Sequence, residues 1–177
     1  RKSKSNNLRS WSLKDGTINP LFHKIKSQFP IPARQYFAGI WDGDGYQRNE
    51  KKTNRPSKTL QLCLEMAEDG CEPVFMLSRI FDLTIRCCTR KGEKYKNYQP
   101  SYVVDLSGPK GEMFLLLIYP YLIENRSIAR DILLERKCPE KFLGEELQFS
   151  WPYLAGYADA EGNYSMKLQH NKQKRKK

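Results

Sequence analysis

The sequence has no apolar run long enough to cross a membrane. Its most apolar stretch, residues 113–123, reaches about half of the roughly 20 residues that a spanning helix needs, and Pro120 interrupts it. Residues 1–30 are basic and polar, without the apolar centre of a signal peptide. These absences predict a soluble protein.

The usual zinc ligands are also scarce. The two histidines lie far from the five cysteines, and no two cysteines form a CxxC pair. This pattern argues against a zinc site or a disulfide framework, and it predicts free thiols in a reducing, intracellular compartment. We interpret Cys63 and Cys87 as small core residues.

Acidic residues are nearly absent from the two ends of the chain. Residues 1–30 carry seven Lys or Arg and one acid, and residues 167–177 carry six Lys or Arg and no acid. Two inner stretches, 46–60 and 84–98, together carry ten basic and two acidic residues, whereas the rest of the middle is acidic. Basic segments set apart from an acidic body favour a polyanionic partner such as nucleic acid, and charge alone also suits an acidic membrane surface.

One ten-residue stretch occurs twice, 117 residues apart. The copies are YFAGIWDGDG, which begins at Tyr36, and YLAGYADAEG, which begins at Tyr153. Both read aromatic, apolar, Ala, Gly, two apolar residues, Asp, small, acid, Gly. Self-similarity of this kind predicts an internal structural repeat.

Hydrophobic periodicity after the first copy predicts an α+β unit. The order is helix, two strands, helix, two strands and two helices, with helices at 33–41, 72–81, 112–122 and 127–136 and strands at 46–51, 59–66, 83–90 and 102–106. We divide the chain into a basic extension (1–32) with at most a short helix at 21–26, a complete repeat (33–142), the start of a second repeat (143–170) and a basic tail (171–177).

The four strands predict an antiparallel sheet with helices on one face and solvent on the other. Alternation places apolar side chains such as Leu62 and Leu64 inward. The open face, with its flanking loops and the strand that follows the second motif, then supplies the side chains that we expect to bind nucleic acid: Arg48, Lys52, Lys58, Gln61, Arg86, Arg90 and Lys167. An ordinary solvated sheet face is the alternative interpretation.

Small residues in the repeated stretches predict a close helix pair. Gly39 and Gly43 are four residues apart, and Gly156 and Ala160 repeat this spacing, so each pair lies on one helix face. Packing of these faces would bring Asp44 and Glu161 together at the negative ends of two helix dipoles, where they repel. A divalent cation would relieve this, and oxygen ligands without nearby Cys or His favour Mg²⁺.

At these residues, FAGIWDGDG and LAGYADAEG resemble the two signature motifs of LAGLIDADG homing endonucleases. The resemblance implies an αββαββα fold with a four-stranded saddle sheet, paired as a homodimer or as two halves of one chain. It implies cleavage of double-stranded DNA with Mg²⁺ or another divalent cation, in intron or intein mobility. We expect the protein in a mitochondrion, a chloroplast or the bacterial cytoplasm, and the lack of a spanning run predicts no membrane partner.

The resemblance also implies roles for individual residues. By motif position, Asp44 and Glu161 match the family's catalytic, metal-binding acids, and Gly43 and Ala160 match residues whose carbonyl oxygens assist. Further residues are Asp42 and Asp159, which match a more structural acid, and Arg126 and Lys58, two candidates for a basic residue near the scissile phosphate.

Two features depart from the family pattern. About 15 residues follow Gly162, whereas the first repeat uses roughly a hundred to complete its sheet, so we interpret the chain as a fragment of a two-repeat protein or as a truncated member. A second copy of the chain or another polypeptide are two possible sources of the other half. The first strand carries Gln47, Asn49 and Lys51 at inward positions, which predicts a weak, bulged or shifted strand.

A second hypothesis is non-enzymatic. The basic segments RKSKSNNLR and NKQKRKK flank a nearly neutral middle. They suit an RNA-binding protein that retains the LAGLIDADG fold, such as an intron maturase or a ribosome-associated protein.

Overall fold

The computed structural model describes residues 19–44, 46–50, 59–89, 99–143 and 149–161, and for 46–50, 59–61 and 141 it describes the backbone alone. The predictions for residues 1–18, for the turn at 54–56 and for a strand after Gly162 fall outside these ranges. None of the helices within them is long and apolar enough to cross a membrane.

The described residues form six α-helices and an antiparallel sheet, so the predicted α+β class is confirmed. The helices are α1 (Pro20–Gln28), α2 (Ile31–Asp44), α3 (Glu72–Phe81), α4 (Gly108–Ile118), α5 (Arg126–Glu135) and α6 (Trp151–Glu161). The strands are β1 (Tyr46–Glu50), β2 (Thr59–Ala67), β3 (Ile85–Cys88) and β4 (Ser101–Ser107).

Strand β4 lies between β2 and β3, and the backbone of β1 pairs with the other edge of β2, which gives the order β1-β2-β4-β3. The expected bulge in β1 is wrong, because pairing runs without interruption from Tyr46 opposite Cys63 to Glu50 opposite Thr59. The hydrogen bonds of the ladder join backbone groups, so polar side chains at inward positions do not prevent regular pairing.

Helices α3 and α4 cover one face of the sheet. Leu62 and Leu64 of β2 and Val104 and Leu106 of β4 are buried against them, as alternation predicts. Phe114 of α4 lies at the centre of this core and makes edge-to-face contacts with several aromatic rings: those of Phe37, Trp41 and Phe81.

Helix α1 belongs to the same packed unit. Phe22, Ile25 and Phe29 are buried in the common core, and Arg34 of α2 donates hydrogen bonds to the carbonyl oxygens of Lys26 and Phe29 at the end of α1. The division that assigned 1–32 to an extension is therefore corrected, because the core begins within α1. A nine-residue helix needs only these apolar positions on one face to dock.

Helix α4 begins four residues before the predicted start at residue 112. We interpreted Gly108-Pro109 as a break, whereas Pro109 occupies the first turn of the helix, where its missing N–H costs nothing. The helix ends at Ile118, and a short 3₁₀ turn containing Pro120 follows it.

Both cysteines that we placed in the core lie elsewhere. Cys63 alternates with Leu62 and Leu64 and so faces the open side of the sheet, opposite Asp105, and Cys87 is exposed near the end of β3. All five cysteines are free thiols. Strand alternation explains the position of Cys63, whereas Cys87 shares the face of Ile85 and is exposed near the end of its strand.

Candidate metal centre and nucleic-acid face

The two motif helices, α2 and α6, touch backbone to backbone. A Cβ atom on Gly39 would lie 2.0 Å from the carbonyl oxygen of Tyr153, and one on Gly156 would lie 1.9 Å from the carbonyl oxygen of Tyr36. No side chain fits at either distance. Only glycine permits this approach.

The contact continues to the last turn of each helix. A Cβ atom on Gly43 would lie 2.6 Å from Cβ of Ala160 and 3.7 Å from Cγ of Glu161. Asp44 is the next residue after Gly43 and ends α2, whereas Glu161 ends α6. Both acids are exposed at adjoining C-terminal helix ends.

The electrostatics of this end disfavour a bare carboxylate. Partial burial raises the pKa of Asp44 above its ordinary value. The carbonyl ends of two helices add partial negative charge at the same place.

The residues present fit a hard divalent cation. They offer two carboxylates and nearby backbone oxygens, and Mg²⁺ commonly binds through one or two carboxylates while it keeps several waters. Within the described ranges, no group of three or more His, Cys, Asp or Glu side chains is placed to hold a metal ion.

Asp42, two residues before Asp44, is buried and joins three parts of the fold. Its Oδ2 accepts from the backbone N–H groups of Ile123 at 2.7 Å and Glu124 at 3.2 Å, and its Oδ1 accepts from that of Asn125 at 2.9 Å. The Tyr153 hydroxyl of α6 also donates to Oδ2, at 2.8 Å. Asp42 therefore fixes the end of α2 to α6 and to the segment that leads into α5.

The corresponding acid of the second copy has the corresponding tyrosine as its partner. The Tyr36 hydroxyl donates to Oδ2 of Asp159 at 2.7 Å, but this bond is exposed. The helix pair thus contains two reciprocal Tyr–Asp bonds, of which one is buried and one faces solvent.

A further bond ties α6 to the segment before α5. The Tyr157 hydroxyl donates to Oε1 of Glu124 at 3.1 Å, and this bond with the Glu124 charge is the main reason that the pKa of Tyr157 is raised. Glu124 therefore contacts both motif helices, since its N–H donates to Asp42.

The candidate basic residue Arg126 is the first residue of α5. Its Nη1 donates to the carbonyl oxygen of Pro120 at 3.3 Å, and its guanidinium lies 4.8 Å from the centroid of the Tyr119 ring. The bond from the Asn125 N–H to Asp42 places the start of α5 beside the last turns of α2. The other candidate, Lys58, lies outside the described residues.

The described part of the open sheet face carries charges of both signs. Arg86 is exposed, as alternation predicts, and forms an ion pair with Asp105 on β4. The Ser101 hydroxyl donates to Oε1 of Glu65 at 2.5 Å. Burial, and secondly the charge of Asp105, raise the pKa of Cys63 to about 11.

The side chains of the other residues that we predicted to bind nucleic acid are not described. The backbones of Arg48 and Gln61 are register partners in β1 and β2. Lys52, Arg90 and Lys167 lie outside the described residues.

Tyr36 and Tyr153 were not among the predicted functional residues. Both open their copy of the repeat, so an identical residue at one motif position was an available signal. Glu124 gave no such signal, because its two contacts depend on the tertiary fold.

Comparisons with known proteins give structural matches at low identity. No family model matches the sequence, and no curated protein does. Among solved structures, the homing endonuclease I-CvuI in complex with its target, in the presence of Ca, matches with a TM-score of 0.42 and 18% identity, over 66% of this chain and 69% of that chain.

A second complex, of I-CvuI with the I-CreI target in the presence of Mg and with the DNA not cleaved, matches with a TM-score of 0.39 and 12% identity. It covers 75% of this chain and 96% of that chain. Both matched structures are of a homing endonuclease, the class of protein that the two motifs resemble.

Proposed function

We propose that this chain is a site-specific DNA endonuclease of the LAGLIDADG homing type. The observation that carries the proposal is the backbone contact between α2 and α6, since it places the exposed acids Asp44 and Glu161 at adjoining helix ends. Two carboxylates at adjoining helix ends, one from each copy of the motif, suit metal-assisted phosphodiester hydrolysis.

Asp44 and Glu161 would hold the cation, with assistance from the carbonyl oxygens of Gly43 and Ala160. A bound Mg²⁺ would supply Lewis-acid stabilisation of phosphate charge and a more acidic water. The raised pKa of Asp44 supports this role, because a carboxylate that is poorly stabilised by the protein gains most from a cation.

The other residues of the site position these acids. Asp42 accepts three backbone N–H groups and the Tyr153 hydroxyl, which holds the last turn of α2 against α6. Arg126 then stands at the start of α5 as the basic residue for the phosphate, and its contact with Pro120 limits its rotation. A displacement of the order of 1 Å in such a site lowers the rate by about a hundredfold.

The sheet would form the saddle that lies along double-stranded DNA. Arg86 is the described side chain that can reach a phosphate, once its ion pair with Asp105 is exchanged for that contact. The basic segments at both chain ends and in 46–60 and 84–98 would supply most of the remaining phosphate affinity.

A cleavage assay on DNA from the locus that encodes the chain tests the proposal. We expect Mg²⁺-dependent cleavage or nicking, with activity lost on chelation by EDTA. Asp44→Asn and Glu161→Gln should each lower the rate at least about a hundredfold, since each removes several kcal/mol of charge stabilisation.

Asp159→Asn is the matched control, because it removes an exposed acid of the same helix whose partner is Tyr36. It should cleave at close to the wild-type rate. Unchanged cleavage in both acid variants would contradict the assignment. RNA binding that is independent of Mg²⁺ and of Asp44 would favour the maturase hypothesis instead.

A further inference from the structure

We propose that Glu124 is a positioning residue for the candidate metal ligand Glu161, and that it acts through the hydroxyl group of Tyr157. The inference rests on the proposed function, since it concerns the same centre. Glu124 lies in the segment that leads into α5, whereas Tyr157 and Glu161 lie in α6. The hydrogen bond from the Tyr157 hydroxyl to Oε1 of Glu124, at 3.1 Å, connects the two elements.

The end of α6 needs support from the rest of the fold. Glu161 is the last residue of this helix. The last four carbonyl groups of a helix have no partner within the helix, so the final turn frays readily. A carboxylate on a fraying turn does not keep a fixed position beside a second carboxylate.

The two motif copies differ in what fixes their final turns. In α2 the buried carboxylate of Asp42 accepts three backbone N–H groups. In α6 the corresponding acid, Asp159, makes an exposed bond with Tyr36. The α2 counterpart of Tyr157 is Ile40, which is buried and has no hydroxyl group. Tyr157 thus gives α6 a hydrogen bond that the same motif position of α2 cannot make.

The backbone of Tyr157 is held against α2. A Cβ atom on Gly39 would lie 2.6 Å from the Tyr157 nitrogen, and one on Gly43 would lie 3.5 Å from its carbonyl oxygen. The ring of Tyr157 stacks on that of Tyr153, with centroids 6.3 Å apart and an angle of 21° between the planes. Since the backbone and the ring are both placed, the hydroxyl group has little freedom to leave Glu124.

Glu124 is fixed from its other side. Its backbone N–H donates to Oδ2 of Asp42 at 3.2 Å, and the N–H groups of both neighbouring residues donate to the same carboxylate. The segment is therefore held rigidly on α2. The Tyr157 bond joins α6 to this segment one turn before Glu161, because residues four apart lie on the same helix face.

The charges around the Tyr157 hydroxyl agree with this placement. The bond with Glu124 is the largest cause of the raised pKa of Tyr157, and the charge of Glu161 adds to it. The Glu161 carboxylate therefore lies within electrostatic reach of the hydroxyl that Glu124 holds. Loss of the bond would release the hydroxyl group and loosen the last turn of α6 together.

Mn²⁺ binding to the full-length chain, with free Mn²⁺ measured by electron paramagnetic resonance, tests the proposal. Tyr157→Phe removes the bond and keeps the ring, and Glu124→Ala removes the bond from the other side. Each should weaken binding about three- to fivefold, less than the roughly 10–100-fold effect of a partner bonded directly to a metal ligand. The double variant should bind no more weakly than either single variant, because all three lose the same bond.

Two further variants separate positioning from other roles. Glu124→Gln keeps an acceptor oxygen for the Tyr157 hydroxyl but removes the charge. It should bind Mn²⁺ within about twofold of the wild type, since solvent screens an exposed charge. Tyr36→Phe is the matched control, because it removes an exposed Tyr–Asp bond of the same helix pair, and it should leave Mn²⁺ binding unchanged.

Four results would overturn the proposal. Binding of wild-type strength in Tyr157→Phe or Glu124→Ala shows that the bond does not position Glu161. Equal weakening in Glu124→Gln and Glu124→Ala shows that the charge of Glu124 acts directly on the cation. Weakening of the same size in Tyr36→Phe shows a general loosening of the two helices. Absence of Mn²⁺ binding in the wild type overturns the metal centre as well, whereas wild-type binding that Asp44→Asn abolishes keeps the centre and leaves the other results to decide on Glu124 alone.

Discussion

The Tyr153 hydroxyl donates a 2.8 Å hydrogen bond to the buried carboxylate of Asp42, across 111 residues of sequence. Its counterpart, Tyr36 to Asp159, has a similar length of 2.7 Å but faces solvent. The two bonds come from the same pair of motif positions and differ mainly in burial. A comparison of the two therefore shows how much burial adds to the stability that a Tyr–Asp hydrogen bond contributes.

Tyr153→Phe should lower the free energy of unfolding by about 1.5–3 kcal/mol, since it removes a hydrogen bond to a buried charged group. Tyr36→Phe should cost less than about 1 kcal/mol, because water replaces the lost donor at Asp159. Urea denaturation of the two variants provides the comparison. Equal losses of stability would contradict the conclusion that the hydrogen bond between Tyr153 and Asp42 is buried and joins α6 to α2.

Gly39→Ala should lower the free energy of unfolding by more than about 2 kcal/mol. Its methyl group would lie 2.0 Å from a backbone oxygen, and only separation of α2 from α6 relieves that overlap. Gly70→Ala is the control, because a Cβ atom there meets no heavy atom within 4 Å. A small, equal effect of both substitutions would show that the two helices do not touch at this position.

Asp44→Asn should stabilise the fold at neutral pH. The raised pKa of Asp44 means that the folded chain holds this proton more tightly than the unfolded chain, so stability falls as pH rises above the ordinary value of 3.8. Asparagine does not ionise, so the Asp44→Asn variant does not lose this stability as the pH rises. Since Asp44 is exposed, solvent screens the effect, and we expect a rise in Tm of less than about 4 °C.

The pH dependence provides the check on this prediction. Below about pH 3, where Asp44 is protonated in both states, wild type and Asp44→Asn should have the same Tm. A variant that is less stable than wild type at pH 7 would show that the Asp44 carboxylate makes a stabilising contact. Cleavage, by contrast, should be lost in the more stable protein.

Asp105→Asn should strengthen nonspecific binding to double-stranded DNA. The substitution frees the Arg86 guanidinium from its ion pair, and one added phosphate contact steepens the dependence of log K on log salt by about 1. Fluorescence anisotropy at several salt concentrations measures this slope. In the double variant Asp105→Asn with Arg86→Ala the gain should vanish, and binding no tighter than wild type in Asp105→Asn alone would exclude this face.

Much of the fold could be predicted where the hydrophobic period was clear. The bounds of α3 agree with the predicted 72–81, because Val74, Leu77 and Phe81 mark one helix face and Pro73 its first turn. The start of α4 was missed because Gly108-Pro109 suits both the end of a strand and the beginning of a helix. The inclusion of α1 in the core could not be seen, since the spacing of Phe22, Ile25 and Phe29 marks one helix face but does not say what covers that face.

The site was predictable where it depends on the repeat. Matching motif positions paired Gly39 with Gly156 and Asp44 with Glu161. Contacts between unlike positions were not predictable: Glu124 joins the site through one backbone and one side-chain bond, and Arg86 meets Asp105 only because of the β3–β4 register.

The most direct test of the central claim is the binding of Mn²⁺, a substitute for Mg²⁺ whose free form is measured by electron paramagnetic resonance. The full-length wild-type chain should bind Mn²⁺ at the ends of α2 and α6. Asp44→Asn and Glu161→Gln should each weaken that binding at least about tenfold, and Asp159→Asn should leave it unchanged. Binding of equal strength in the wild type and in both acid variants would contradict the claim that these two acids form a metal centre.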